Sequence, residues 1–260
     1  MIDITKARLA FKNFLNKYEE RVPGFDLKVV HTYHVAENAK LLATKLKLSE
    51  EDILLAELIG ILHDIGRFEE LEVMKSFDSV KFNHATYGTK MLFEDNLIRD
   101  FIEDTKYDKI IKVAIENHNK LRIDDNLEEK ELIHSKIIRD ADKLDNYRVK
   151  IEEEAENIFV GIVNSQEEFE SSLISDKVYE SIKKEECVDI HDRVYPLDYW
   201  LCVLAFTFDL NFKETLEIVK ENNYISKLID RFTYTNYESA KKMEEVKLIL
   251  NNYIDESLTN

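Results

Sequence analysis

Glycine and proline are scarce in this chain, which has five glycines and two prolines among its 260 residues. Both residues are disfavoured inside helices and are common in the turns of β folds. No segment shows the apolar and polar alternation of a half-buried strand, and no repeat or Gly/Ser linker interrupts the chain. These absences predict an all-α fold.

Long apolar segments and cysteine motifs are missing as well. No stretch approaches the roughly 18 apolar residues of a membrane span. The first residues, MIDITKARLAFKNFL, are amphipathic and charged, unlike a signal peptide. Cys187 and Cys202 have no metal-type spacing. We therefore expect a cytoplasmic protein, without membrane association, whose thiols stay reduced.

The chain also lacks the basic surface that binds nucleic-acid polymers, because its net charge is −17. Residues 1–150 carry 29 acidic and 25 basic side chains, whereas residues 151–260 carry 24 and 11. DNA and RNA are therefore not expected partners. A small anionic substrate stays compatible with this charge, since a local metal site can outweigh the global field.

Amphipathic helical patterns run along most of the chain. The length allows one large domain or somewhat more, and we divide it into a helical domain, 1–150, and an acidic helical extension, 151–260. Because no linker separates them, the extension is expected to pack on the same core. In the first domain, helices are predicted at 4–20, before Pro23, and at 27–47, 51–65, 83–95, 108–120 and 127–150. Gly66 is expected to end the third helix, with a polar loop after it.

Four of the seven histidines lie within or at the ends of these helices: His31, His63, His84 and His118. A single such histidine is more often a surface or hydrogen-bonded core residue. Four buried imidazoles beside a carboxylate would be expensive without compensation. A divalent metal ion provides that compensation, because neutral imidazole and carboxylate are its natural ligands. The pattern therefore predicts a metal site.

Two acidic segments can complete this site. Asp64 follows His63 directly, and its two oxygens could bridge two ions. A negative charge at the end of the third helix would oppose the helix dipole, which favours a nearby cation. In RDADKLD (139–145), Asp142 adjoins an apolar stripe and is the second candidate ligand. Asp145, on the same face, is expected to support a ligand, and Asp140 is expected to be solvated.

Five motifs, in order along the chain, resemble the HD-domain superfamily of metal-dependent phosphohydrolases: HTYHVAENA, ILHDIGR, NHATYG, ENHN and RDADKLDN. The resemblance covers about residues 25–148 and implies a helical HD-domain bundle, with the C-terminal helices packed on it. It also implies the metal ligands His31, His63, Asp64, His84, His118 and Asp142. His84 and His118 match the branch of the superfamily that holds two ions bridged by Asp64. The ions would be Mn, Fe, Co, Ni or Mg, and His34 would be structural or would support a ligand.

The function implied by the resemblance is hydrolysis of a phosphate ester or anhydride in a small molecule, with a nucleotide as the expected substrate. A metal-bridging hydroxide would attack phosphorus. Asp64 would act in catalysis, and Arg67 and Lys143 are the candidate phosphate-binding residues. Ordinary surface charge is the alternative reading for both. The chain lacks GxxxxGK[ST], GxGxxG, HExxH and CxxC, so any phosphate must be held by metal or by basic side chains.

Several alternatives stay open. Some dinuclear members of the superfamily resemble mixed-valence diiron oxygenases with the same six ligands, and a non-catalytic nucleotide sensor is a further reading. Among hydrolases, the lack of HH and GYP elements and of a synthetase domain disfavours cyclic-di-GMP and alarmone enzymes. Diadenosine-tetraphosphate hydrolases remain candidates. Residues 151–260 match no motif and could cover the site or form a homo-oligomer contact.

Overall fold

The computed structural model describes residues 2–18, 22, 24–75, 82–158 and 163–259, without the side chains of residues 156 and 157. It divides into two compact units, Met1–Asp145 and Asn146–Asn260. Every regular element in the described ranges is helical, which confirms the predicted all-α fold. Within the same ranges, no helix combines the length and apolar character needed to cross a membrane.

In its described residues, the first unit contains seven complete α-helices and most of an eighth. They are α1 (Ile4–Leu15), α2 (Phe25–Lys45), α3 (Glu50–Leu62), α4 (Ile65–Met74), α5 (His84–Thr89), α6 (Ile98–Phe101), α7 (Asp108–His118) and α8 (Glu129–Glu152). A π-helix, Lys90–Glu94, continues α5. The predicted first helix therefore ends earlier than residue 20, and Pro23 lies outside the described residues.

Helices α2 and α3 pack against each other; α2 carries His31, and His63 directly follows α3. Gly60 of α3 faces Ala36 of α2 so closely that a Cβ at position 60 would lie 2.5 Å from the Ala36 Cα and 2.9 Å from its nitrogen. The missing side chain lets the two backbones touch. This contact brings the C-terminal end of α3, with His63, close to α2.

Gly66 does not end the third helix, so that prediction is wrong. Helix α3 ends at Leu62, and residues 65–74 form α4 with Gly66 in its first turn, although a polar loop was predicted after Gly66. A Cβ at Gly66 would lie 2.2 Å from the carbonyl oxygen of His84 and 2.8 Å from the nitrogen of Gly88. Glycine is needed at this position because α4 touches the backbone of α5.

The second unit also consists of helices in its described residues. They are α9 (Ala155–Ile158), α10 (Gln166–Glu170), α11 (Asp176–Lys183), α12 (Pro196–Leu204), α13 (Lys213–Glu221), α14 (Tyr224–Ile229) and α15 (Tyr237–Thr259). Phe169, Trp200 and Phe232 form an aromatic cluster with ring centroids 4.9–5.8 Å apart. The buried Asp198 accepts backbone hydrogen bonds from Ser175, Val194 and Tyr195, which fixes the loops before α11 and α12.

Replacing Gly60 by alanine tests the contact between α2 and α3. Alanine favours a helix over glycine by about 1 kcal/mol, so a solvent-facing Gly→Ala change would stabilise the protein. Against the Ala36 backbone, we expect Gly60→Ala to lower the free energy of unfolding in urea by about 1–3 kcal/mol. Adding Ala36→Gly should not restore stability, because the atoms closest to the new Cβ are backbone atoms of residue 36, which glycine also has. Equal or higher stability of Gly60→Ala would contradict the contact.

Candidate metal centre

Four of the six predicted ligands lie in helices, and the other two lie at the junction between α3 and α4. His31 lies in the middle of α2, His84 is the first residue of α5, His118 is the last residue of α7, and Asp142 lies in α8. His63 follows the last residue of α3. The positions of His84 and His118 at helix ends agree with the sequence prediction.

Asp64 occupies the junction between α3 and α4, as the N-cap residue of α4. The prediction that its charge opposes a helix dipole is therefore wrong, because a carboxylate at a helix N-terminus is favoured. Its side chain makes no capping hydrogen bond with α4, and it is 3% exposed. Both carboxylate oxygens consequently point towards the histidines rather than towards the helix backbone.

One oxygen of Asp64 faces the His31 group, which we define as His31, His63 and Asp142. Asp64 Oδ2 lies 3.7 Å from His31 Nε2 and 3.6 Å from His63 Nε2. Asp142 Oδ1 lies 3.1 Å from His31 Nε2 and 3.9 Å from His63 Nε2. Two imidazole nitrogens and two carboxylate oxygens thus surround a common point.

The other oxygen of Asp64 faces the His84 group, which consists of His84 and His118. Asp64 Oδ1 lies 3.3 Å from His84 Nε2 and 3.6 Å from His118 Nε2. The two imidazole nitrogens are 3.1 Å apart. Each oxygen of the Asp64 carboxylate therefore faces a different pair of imidazole nitrogens.

These donors fit divalent metal ions. Nitrogen and oxygen atoms about 2.0–2.2 Å from one ion are about 3.0–3.5 Å from one another, close to the spacings in both groups. His63 Nε2 is buried and has no hydrogen-bond partner among the described residues. An apolar core would leave such a nitrogen unsatisfied, whereas an ion satisfies it. The described residues can thus hold a metal ion at each of two positions.

The outer nitrogens of three histidines set the direction of their rings. His31 Nδ1 lies 2.6 Å from Asp145 Oδ2, and the Nδ1 atoms of His63 and His118 lie 2.8 and 2.7 Å from the carbonyl oxygens of Gly60 and Ile115. A carbonyl oxygen only accepts, so Nδ1 donates the proton and the Nε2 lone pair points into the centre. The predicted supporting position of Asp145 agrees with this contact.

Burial and charge keep most of the donors in the form that binds metal. Burial lowers the pKa of His63 to about 4 and that of His84 well below its usual value, so both imidazoles are neutral near pH 7. Burial opposes ionisation of Asp64, but Lys28 and the neighbouring histidines hold its pKa well below the usual range. Hydrogen bonds with Asp142 and Asp145 outweigh burial at His31 and raise its pKa.

Basic side chains adjoin the centre on its more exposed side. The Asp142 side chain is 22% exposed, and those of Lys28 and Arg67 are 18% and 14% exposed. Arg67 Nε lies 3.7 Å from Asp64 Oδ1, and its Nη1 donates to the buried Glu70 at 2.6 Å. These three side chains are more exposed than the four histidines of the centre.

Other predicted residues are placed differently. Asp140 is buried rather than solvated, because α8 buries an unbroken run from Ile137 to Ala141. Lys143 is also buried, with 6% exposure. His34 is half-buried. The placement of Asp140 therefore corrects the sequence prediction.

Three residues of the centre were missed by the sequence reasoning. Lys28 Nζ donates to Asp64 Oδ2 at 2.7 Å, and the available signal was its position one helical turn before His31. Glu70 follows Arg67 by one helical turn, the same spacing as between Lys28 and His31, and this spacing was the available signal for Glu70. Arg139 precedes the predicted acidic positions in an otherwise apolar stripe, where a charge calls for an explanation.

Arg139 holds the end of the helix that carries His118. Its guanidinium is 2% exposed. Nη1 donates to the carbonyl oxygens of Asn117 and Lys120 at 2.8 and 2.5 Å, and Nη2 donates to that of Leu121 at 3.4 Å. The last carbonyls of a helix have no partners within it, and a cation there also complements the dipole. Arg139 therefore fixes the segment around His118.

Replacing Arg139 by methionine should destabilise the protein, because several buried carbonyl groups lose their donor. We expect the free energy of unfolding to fall by about 1–3 kcal/mol. Arg148→Met is the control on the same helix, since it removes a pair with the exposed Glu152 and should cost less than about 1 kcal/mol. Urea unfolding of both variants measures the difference, and equal losses would contradict the role of Arg139.

Comparisons with known proteins identify the domain that contains this centre. Searches of curated proteins and of solved structures found no match for this chain. The family model described as HD domain matches residues 29–147, a range that includes all six predicted ligands. Residues 29–147 therefore form an HD domain, and proteins with this domain are typically metal-dependent hydrolases.

Proposed function

We propose that this protein is a phosphohydrolase that uses two divalent metal ions to cleave a phosphate ester or anhydride in a small molecule, with nucleotides as the substrate class. The shared carboxylate carries this proposal. Asp64 Oδ2 faces His31 and His63, and Asp64 Oδ1 faces His84 and His118. A one-ion site would have no use for the second pair of histidines.

The ligands divide naturally between the two ions. The His31 group would hold one ion together with Asp64 Oδ2, and the His84 group would hold the other together with Asp64 Oδ1. When bound, such a pair of ions supplies Lewis-acid activation of water and neutralises charge on the phosphoryl group. Manganese, iron, cobalt, nickel and magnesium are all candidates, because mixed imidazole and carboxylate sites accept each of them.

The protein's own residues keep the donors in place and bind the substrate. Asp145 and the carbonyl oxygens of Gly60 and Ile115 hold the Nδ1 protons of three histidines, so the rings cannot turn away. Arg67 is anchored by Glu70 near Asp64, on the more exposed side of the centre. A guanidinium in this place would bind a non-bridging oxygen of the phosphate.

The charge of the protein supports a small substrate. Its overall charge of −17 repels nucleic-acid polymers, whereas Lys28 and Arg67 place positive charges beside the centre. Lys143, beside Asp142, would add to these charges from α8.

Ion binding by single-histidine variants tests the division of ligands. We expect metal-free protein to take up two Mn²⁺ per chain, and we expect His63→Ala and His84→Ala to lose one ion each because each variant breaks one group. His191→Ala is the control, since His191 is exposed on the second unit. Calorimetric titration gives the stoichiometry. If His63→Ala and His84→Ala both lost the same ion, the two groups would not hold separate ions, and the proposed division of ligands would be contradicted.

Phosphate release tests the activity. We expect Mn²⁺-loaded protein to release phosphate from at least one compound in a panel of nucleotides and phosphodiesters, and Asp64→Ala to lower kcat at least about a thousandfold because both ions lose a ligand. Arg67→Met should mainly raise KM, by about tenfold, through loss of a charge-assisted bond.

Measurement of oxygen uptake distinguishes the proposed hydrolase from the oxygenase alternative. Turnover of a diol or phosphonate with oxygen consumption by iron-loaded protein, and no phosphate release with any metal, would support the oxygenase alternative. Ligand-dependent thermal stabilisation without turnover would support a sensor. Either result would contradict the proposed hydrolase, and His191→Ala should match the wild type in every assay.

A further inference from the structure

The side chain of Lys28 ends inside the candidate metal centre. Its ammonium nitrogen lies 2.7 Å from Asp64 Oδ2, and the side chain is 18% exposed. Lys28 precedes His31 by one turn of α2, so both side chains emerge from the same face of that helix. The matched HD domain begins at residue 29, immediately after Lys28.

The oxygen contacted by Lys28 is the one that faces the His31 group. Asp64 Oδ2 lies 3.7 Å from His31 Nε2 and 3.6 Å from His63 Nε2. If an ion were held by these atoms, the ion and the Lys28 ammonium would both contact the same oxygen, Asp64 Oδ2. Two like charges a few ångströms apart repel by several kcal/mol in a partly buried site.

A positive charge is nevertheless needed at this place when no ion is bound. Asp64 and Asp142 lie 3.7 and 3.1 Å from the same imidazole nitrogen of His31, and Asp64 is buried. Buried carboxylates are strongly destabilising unless they are paired with a cation. The Lys28 ammonium is the nearest lysine or arginine nitrogen to Asp64 within the described ranges.

We propose that Lys28 is a positioning residue with two opposed effects. It holds the Asp64 carboxylate in place in the metal-free protein, and it weakens binding of a divalent ion to the His31 group by competing for Asp64 Oδ2. This inference rests on the proposed function, because it requires that Asp64 is a metal ligand. Because of Lys28, the His31 group and Asp64 Oδ2 bind their ion more weakly than they would without the lysine.

The opposed effects separate Lys28 from a merely structural lysine. Removing a structural lysine would destabilise the metal-free protein and leave metal affinity unchanged, or weaken it by misplacing Asp64. Removing a competing lysine destabilises the metal-free protein and strengthens metal binding. The two quantities therefore move in opposite directions only if Lys28 competes with the ion.

The chain offers a matched control on the same helix. Lys40 Nζ lies 2.9 Å from Oε2 of the buried Glu57, so Lys40→Met also removes a lysine from a buried carboxylate of α3. Glu57 is not a candidate metal ligand, and it keeps Arg8 as a second partner. Lys28→Arg provides the second control, since it keeps the positive charge.

Titration of metal-free full-length protein with Mn²⁺ tests the inference, together with Tm values measured without metal. The relevant binding step is the one that His63→Ala abolishes. We expect Lys28→Met to lower the metal-free Tm and to tighten this step by at least about tenfold. Lys28→Arg should stay within about threefold of the wild type, and Lys40→Met should lower Tm without changing Mn²⁺ affinity.

Unchanged or weaker Mn²⁺ binding by Lys28→Met would overturn the inference and leave the proposed function standing. Absence of Mn²⁺ binding by the wild type would overturn the proposed function itself. If Lys28→Met does not fold, Lys28→Gln replaces it with the same expected tightening, because glutamine also removes the charge.

Discussion

The central interaction of this structure is the sharing of one buried carboxylate between two sets of imidazoles. Asp64 Oδ2 faces His31 and His63, and Asp64 Oδ1 faces His84 and His118. An isolated carboxylate would not tolerate this burial, so positive charge must reach it from Lys28 or from metal ions. The placement of the surrounding helices follows from the need to bring four imidazoles to one side chain.

Close backbone contacts at two glycines and one buried arginine hold the helices in this arrangement. Gly60 lets α3 touch α2, and its carbonyl oxygen also accepts the Nδ1 proton of His63. Gly66 lets α4 touch the first turn of α5, directly at the carbonyl of His84. Arg139 holds the end of α7 next to His118. Packing and metal-site geometry therefore depend on the same few positions.

The all-helical fold could be predicted because its signals are local: few glycines and prolines, and apolar residues at helical spacing. The HD-domain motifs indicated the six residues that the structure brings together around Asp64. The break at Asp64 and the helix after it could not be predicted, because Gly66 reads locally as a helix end, whereas its role is a contact with α5. Lys28 and Arg139 were missed for the same reason: their partners are distant in sequence.

Anomalous diffraction from crystals of the protein grown with Mn²⁺ tests the central claim most directly. We expect two anomalous peaks about 3.5–4 Å apart, one on each side of the Asp64 carboxylate. One peak should lie among His31, His63 and Asp142, and the other beside His84 and His118. A single peak, or peaks that Asp64 does not contact, would contradict the shared carboxylate.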